Sequence, residues 1–236
     1  MDLHSQTLIF DADDTLWEDN AIFERVVRDF IGWVNHPTFD HVTIRRIFDE
    51  IEEANILRHG YGVRGFVASM VDAFAELHRR PAAEDDVQAM HLLAADLLDQ
   101  KIELMPGVAE TLTHLGAEHH LLMLTKGELD IQKRKVERSG LAHHFASVHI
   151  VPEKDSSVYR ELVGTHALDP EATWMIGNSP KSDILPALDA GLRAVYIPSH
   201  TPWHLEHSEL DLAHPRLTTI ATFVELVPHF TRRPRR

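Results

Sequence analysis

The chain has no cysteine among its 236 residues. Disulfides, a thiolate nucleophile and cysteine-ligated zinc are therefore excluded. No apolar stretch approaches the ~20 residues that a membrane-crossing helix needs. Residues 1–6 lead straight into an apolar segment with no room for a signal peptide before it, so the expectation is a soluble, cytoplasmic protein with no membrane partner. Positive charge is scarce: 23 Lys and Arg stand against 37 Asp and Glu, for a formal net charge of −14. A nucleic-acid backbone would be repelled, and no such partner is expected. The exception, Arg232-Arg233-Pro234-Arg235-Arg236, reads as a solvated end. Low-complexity tracts and internal repeats are also lacking. The 44% of apolar residues can bury a substantial core, as one large domain or as a domain with an insert.

The chain is organised around Thr7-Leu8-Ile9-Phe10-Asp11-Ala12-Asp13-Asp14-Thr15-Leu16-Trp17. Thr7 to Phe10 suit a strand buried on both faces of a parallel sheet, and the acids emerge at its carboxyl end, where open α/β sheets bind ligands. Asp11 and Asp13 are two apart, so on an extended segment they leave on the same side and stand close. Either a cation neutralises such a pair, or one member holds a proton and can serve as a general acid. A division of labour follows: one carboxylate attacks, its partner carries a proton, and a hard divalent ion holds phosphate oxygens. An Asp-rich turn is the plain alternative, and the downstream strands weigh against it. Leu121 to Leu124 end at Thr125-Lys126-Gly127, Val148 to Val151 at Pro152-Glu153-Lys154, and Trp174 to Ile176 at Gly177-Asn178-Ser179-Pro180-Lys181-Ser182-Asp183. Acids, a hydroxyl and an ammonium collected at one sheet edge suit phosphoryl transfer.

The order Asp-x-Asp-x-Thr, then a strand-ending Thr, then Lys, then Gly-Asn-x-x-x-x-Asp resembles the haloacid dehalogenase (HAD) superfamily, from about Thr7 to about Ile197. The resemblance implies Asp11 as the nucleophile that becomes aspartyl-phosphate and binds Mg2+. It implies Asp13 as general acid and base, with its carbonyl on the metal. Thr125 would hydrogen-bond the phosphate, Lys154 would neutralise it and steady Asp11, and Asp183 would complete the metal site. Asp14 stands where the family usually has Gly; Asp tolerates left-handed backbone, so it reads as a turn substitution. Asn178 stands where the family usually has Asp. Its amide oxygen can still ligate Mg2+, but a charge is missing, so weaker metal affinity or a direct role for Asp183 is expected.

About a hundred residues separate the first strand from the second, too many for an ordinary connection. Ile22, Val26, Phe30 and Val34 recur at helical spacing, and three further stripes follow, ending with Val87, Met90, Ala94 and Leu97. Four amphipathic helices of this kind can bury their stripes against one another. The insert resembles the family's all-helical cap, which closes over the phosphate site, with hinges at Leu16 to Asp19 and Gln100 to Met105. Within it, Arg58 to Gly65 holds three glycines and reads as a loop; His59, Tyr61 and Arg64 on it could read an anionic or hydroxylated substrate, and Lys126 could contribute from the core. The spacing of His200, His204 and His207 does not make zinc, because Thr201-Pro202 reads as an N-cap and first-turn proline that leaves His200 outside the helix. His119-His120 and His143-His144 fall at connections and read as solvated.

The expected architecture is α/β: a doubly wound parallel sheet in a HAD-like core domain (1–16 and 103–236) with an inserted all-helical cap domain (17–102). The expected activity is a Mg2+-dependent phosphatase acting on a small phosphorylated metabolite. A phosphomutase is the near alternative, and a HAD-like binding or regulatory protein that has lost turnover is the alternative that Asn178 raises. A dehalogenase does not need the second acid, Asp13, and a receiver domain is about half this length.

Overall fold

Strand β1 forms where the sequence is apolar and uncharged, at Thr7–Phe10. In the computed structural model, which describes residues 5–98 and 102–231, Leu8, Ile9 and Phe10 are fully buried. Their alternation divides them between two cores. Leu8 and Phe10 pack with Leu112, Leu121, Met123 and Ile176, whereas Ile9 packs with Leu122, Leu124, Tyr159 and Met175. A sheet covered on both faces is what an unbroken apolar strand requires.

The other strands are β2 (His120–Lys126), β3 (Ser147–Val151), β4 (Thr173–Gly177), β5 (Arg193–Tyr196) and β6 (Leu217–Thr219). All pair in parallel, in the order β3-β2-β1-β4-β5-β6. The chain builds outward from β1 to β3, then returns to β1's other side to add β4. The change of direction therefore falls beside β1 and β4, where ligand crevices open in doubly wound sheets. β6 was not expected: it is short, and Leu-Thr-Thr offers little apolar signal.

The chain splits into two compact units, Met1–Glu18 with Ile102–Arg236 and Asp19–Lys101. The first holds the sheet. Trp17, assigned from sequence to the insert, is instead fully buried in the sheet unit's core, because its main chain bridges to Leu104 and Asp13. Of the expected hinge at Gln100 to Met105, Gln100 and Lys101 lie outside the described residues, as does the arginine tail.

The second unit is helical: α1 (Asn20–Val34), α2 (His41–His59), α3 (Val63–His78), α4 (Glu84–Leu93) and the short α5 (Ala95–Leu98). Phe30, Ile44, Phe48, Met70 and Met90 form its fully buried centre, with the Phe48 ring tilted against Phe30 and edge-on to Phe66. Asp40 caps α2 by accepting from the Thr43 N–H at 2.8 Å. In the sheet unit, α6 (Val108–Gly116), α7 (Leu129–Ser139), α8 (Ser156–His166) and α9 (Leu185–Asp189) connect strands, and α10 (Leu226–Thr231) follows β6. Among the described residues no helix is long and apolar enough to cross a membrane.

The loop read from Arg58 to Gly65 is much shorter in the structure. α2 runs through His59 and α3 begins at Val63, so Gly60 to Gly62 alone turn the chain, with Gly60 at φ 75° and Gly62 at φ 120°. Gly65 serves packing instead: a Cβ there would lie 2.8 Å from the Gly60 carbonyl oxygen. Likewise, Thr201-Pro202 starts no helix; the chain makes a single 3-10 turn at His204–Glu206. His119 is buried, not solvated, and accepts from the Gln6 N–H at 3.3 Å.

Gly65→Ala is expected to destabilise the α2–α3 turn by roughly 1–3 kcal/mol, the usual cost of forcing atoms into a filled site. Thermal unfolding of the variant checks it. An unchanged melting temperature would show that the turn relaxes freely.

Candidate active site

β1 passes directly into the site. The Asp11 N–H donates to the Ile176 carbonyl at 2.9 Å, extending the β1–β4 pairing by one residue. The chain then folds back tightly: the Ala12 carbonyl accepts from Leu16 N at 2.8 Å, and Asp14 adopts φ 58° while its N–H donates to the Trp17 carbonyl at 2.7 Å. Left-handed backbone at Asp14 is the turn role expected of it. The fold-back brings Thr15 Oγ1 to Asp11 Oδ2, where it donates at 2.8 Å.

Lys154, just beyond β3, reaches across the strand ends to the same carboxylate. Its Nζ donates to Asp11 Oδ1 at 2.5 Å and to Asp183 Oδ1 at 2.8 Å, and all three groups are buried. Asp183 is held from its other side by the Ser179 N–H, which donates to Oδ2 at 2.9 Å. It fits only because residue 177 is glycine: a Cβ there would sit 2.3 Å from Asp183 Oδ2. Two carboxylates thus share one ammonium. Burial first, and then the Asp183 charge, lift Asp11 to about 7, with Lys154 partly offsetting them. Burial alone would lower the Lys154 ammonium, but the charges of Asp11 and Asp183 outweigh it and raise it. The strongest like-charge neighbour of Asp11 is therefore Asp183, ahead of Asp13. Asp13 also raises Asp11, in keeping with the closeness expected from their spacing, and the turn gives Asp13 partners of its own.

Those partners come from α7 and from Trp17. Asp13 Oδ1 accepts from Trp17 Nε1 at 2.6 Å, Oδ2 accepts from Gln132 Nε2 at 2.8 Å, and Lys135 Nζ donates to both oxygens at 3.0 Å. Gln132 Nε2 also donates to Thr125 Oγ1 at 2.7 Å, which ties the expected phosphate-binding hydroxyl to the same amide. Asn178 meets Thr15 Oγ1 at 3.0 Å. With its amide nitrogen turned inward it also donates to the Asp13 carbonyl and to Asp11 Oδ2, both at 3.2 Å. Oxygens of Asp11, Asp13 and Thr15 therefore converge on one amide, and turning that amide to present Oδ1 would make an all-oxygen set suited to a hard cation.

Lys126 ends β2, and its Nζ donates to Ser182 Oγ at 2.9 Å, pairs with Glu206, and lies 3.4 Å from Glu153. Glu206 in turn accepts from Ser179 Oγ. Burial would raise Glu206, but the Lys126 charge and the serine hydroxyls hold it below the usual carboxylate range.

The structure thus gathers Asp11, Asp13, Thr125, Lys126, Lys154, Asn178 and Asp183 at the carboxyl edge of the sheet. His59, Tyr61 and Arg64 belong to the helical unit: His59 ends α2, Tyr61 lies in the three-residue turn, and Arg64 opens α3, with His59 and Arg64 exposed. Sequence reading missed Trp17, Gln132, Lys135, Ser179 and Glu206 as neighbours of the site. For α7 a signal existed. Gln132, Lys135 and Val136 are its buried positions at i, i+3 and i+4, so two polar residues occupy a face that would otherwise be apolar.

The Asp11 shift carries a sign. Its native-state value lies above the ordinary 3.8, so between 3.8 and about 7 the folded protein binds the extra proton and loses stability as pH rises. Asp11→Asn removes that contribution. In chelator, its melting temperature should fall less than that of the unaltered protein between pH 5 and pH 8. Parallel curves would mean that burial and the Asp183 charge do not raise Asp11.

A family model described as haloacid dehalogenase-like hydrolase matches residues 6–191. A haloacid dehalogenase-like family hydrolase from Xanthomonas campestris superposes with a TM-score of 0.82 at 28% identity, covering 95% of this chain and 89% of that one. The HAD-hydrolase YfnB from Bacillus subtilis, solved bound to magnesium, superposes at 0.66 with 18% identity over 96% and 98%. A phosphoserine phosphatase of Thermus thermophilus is 35% identical over 82 residues, a stretch that spans 33% of either chain. The parallel sheet, the strand-end acids and the family model together make this chain a member of the haloacid dehalogenase-like hydrolases.

Proposed function

We propose that the protein is a Mg2+-dependent phosphatase that hydrolyses a small phosphorylated metabolite through an aspartyl-phosphate. The observation that carries this reading is the Asp11 carboxylate, buried at the switch point of the sheet and fixed by Lys154 and Thr15. The partial likeness to a phosphoserine phosphatase supports the phosphatase over other hydrolases.

One Asp11 oxygen attacks phosphorus, and the bond from phosphorus to the ester oxygen breaks. Asp13 delivers a proton to that departing oxygen, which leaves as an alcohol. Asp13, now a carboxylate, takes a proton from water as the water attacks phosphorus, and the bond from phosphorus to Asp11 breaks to free phosphate. Thr125 hydrogen-bonds the phosphoryl oxygens and Lys154 offsets their charge. A dehalogenase would have no use for the second acid.

The donor set suits Mg2+, which Asp11, the Asp13 carbonyl and the Asn178 amide oxygen would hold, with Asp183 adding charge behind them. Bound there, Mg2+ would supply positive charge against the phosphoryl oxygens. The electrostatics support such a need. Among the described residues at this edge, Lys126 and Lys135 are matched to carboxylates and Lys154 is shared between two, so a dianionic ester finds little positive charge left over there. The role expected of the helical unit, selecting the substrate through His59, Tyr61 and Arg64, belongs to the same proposal.

Phosphate release from sugar phosphates, nucleotides, phosphoglycolate, phosphoserine and an activated aryl phosphate tests the reading. Release should require Mg2+, stop in chelator, and fall to the buffer level in Asp11→Asn with the fold retained. Full activity in that variant would remove the nucleophile assignment. Asn178→Asp restores a charged ligand and should tighten Mg2+ binding several-fold by calorimetry. An unchanged isotherm would mean that residue 178 does not touch the metal.

A further inference from the structure

Asp13 is a heavily bound carboxylate that lies outside the Lys154 pair. Three side chains hold it, two of them from α7, 119 and 122 positions along the chain. Gln132 Nε2 has two hydrogens and three acceptors within 2.8 Å: Asp13 Oδ2, Thr125 Oγ1 and the Lys126 carbonyl. The amide therefore spans the group expected to move the proton and the group expected to hold the phosphate. Its seat is also fixed by Gly127 at φ 137°, where a Cβ would lie 3.2 Å from Gln132 Cγ. Lys135 adds a fork of two contacts to Asp13 from the next turn of the same helix face.

Resting on the phosphatase reading, we propose that Gln132 and Lys135 are positioning residues for proton transfer, holding the Asp13 carboxyl at a set offset from Thr125 and hence from the ester oxygen that leaves. Neither acts on the substrate. Each acts through Asp13, and α7 is the rigid element that carries both.

A surface-stitching ion pair would predict something different, and leaving-group dependence separates the two. The kcat/KM value covers the steps up to departure of the alcohol. An alkyl phosphate needs a proton at its leaving oxygen, whereas a nitrophenyl phosphate departs without one. Lys135→Met keeps the apolar stem and removes the donor. It should lower kcat/KM for the alkyl ester by about tenfold or more, within the ~10²–10⁴ that general acid catalysis supplies. The nitrophenyl ester should change by less than about threefold, the spread expected of additive, uncoupled effects. Added to Asp13→Asn, Lys135→Met should cost nothing more, because residues acting as a unit are not additive. Where Lys135→Met fails to fold, Gln132→Met carries the same comparison. Equal losses on both esters, or none on either, overturn the positioning role while the phosphatase reading stands. Release from neither ester by the unaltered protein overturns both.

Discussion

The Lys154 ammonium, buried between Asp11 and Asp183, is the interaction on which the rest of the site depends. Two carboxylates against one ammonium leave a net negative charge away from water, which is costly and persists only where the surroundings fix it. Four features fix it here: the β1–β4 pairing that delivers Asp11, the Thr15 hydroxyl, the Ser179 N–H on Asp183, and the lack of a side chain at Gly177. Removing one partner would strand the others. Burial and then the Asp183 charge raise Asp11 above its ordinary range, and under the proposed function the same surplus of negative charge would favour a divalent cation.

Around that centre, charge is matched residue by residue. Asp13 has Lys135 and Glu206 has Lys126, and each pair joins a loop at the sheet's edge to a different element. Lys126 ends β2 while Glu206 lies beyond β5, so their pairing ties the segment after the fifth strand to the site. The Ser179 hydroxyl extends that tie to the loop that carries Asn178. The result is an edge in which the loops after four strands constrain one another through side chains.

Much of this was legible in the sequence because strands that end in acids announce both the sheet and its working edge. Thr7–Phe10 was read with the bounds that the structure gives it, and the polar ends of β2, β3 and β4 supplied Thr125, Lys154, Asn178 and Asp183. Local patterns failed where partners are distant. Nothing near Asp13 says that it leans on Gln132 and Lys135, and the two-residue spacing that placed it near Asp11 says nothing of Asp183, which adds the larger like charge. The three glycines between α2 and α3 misled for a related reason. Two of them turn the chain, but Gly65 is there to let a helix approach a carbonyl, a packing role that composition cannot distinguish from flexibility. His119 was read as solvated from its place at a connection, yet it accepts from Gln6 across a distance that local sequence does not register.

The most direct test of the central claim is to trap the covalent intermediate. Enzyme in excess would be mixed with a phosphate ester and Mg2+, quenched in acid within milliseconds, reduced with borohydride and digested. The account predicts that the peptide carrying Asp11 gains a phosphoryl group on quenching and that reduction converts residue 11 to homoserine, with Asp13, Asp14 and Asp183 unmodified. Steady release of phosphate with no label on Asp11 at any time, or label on another residue, would contradict it.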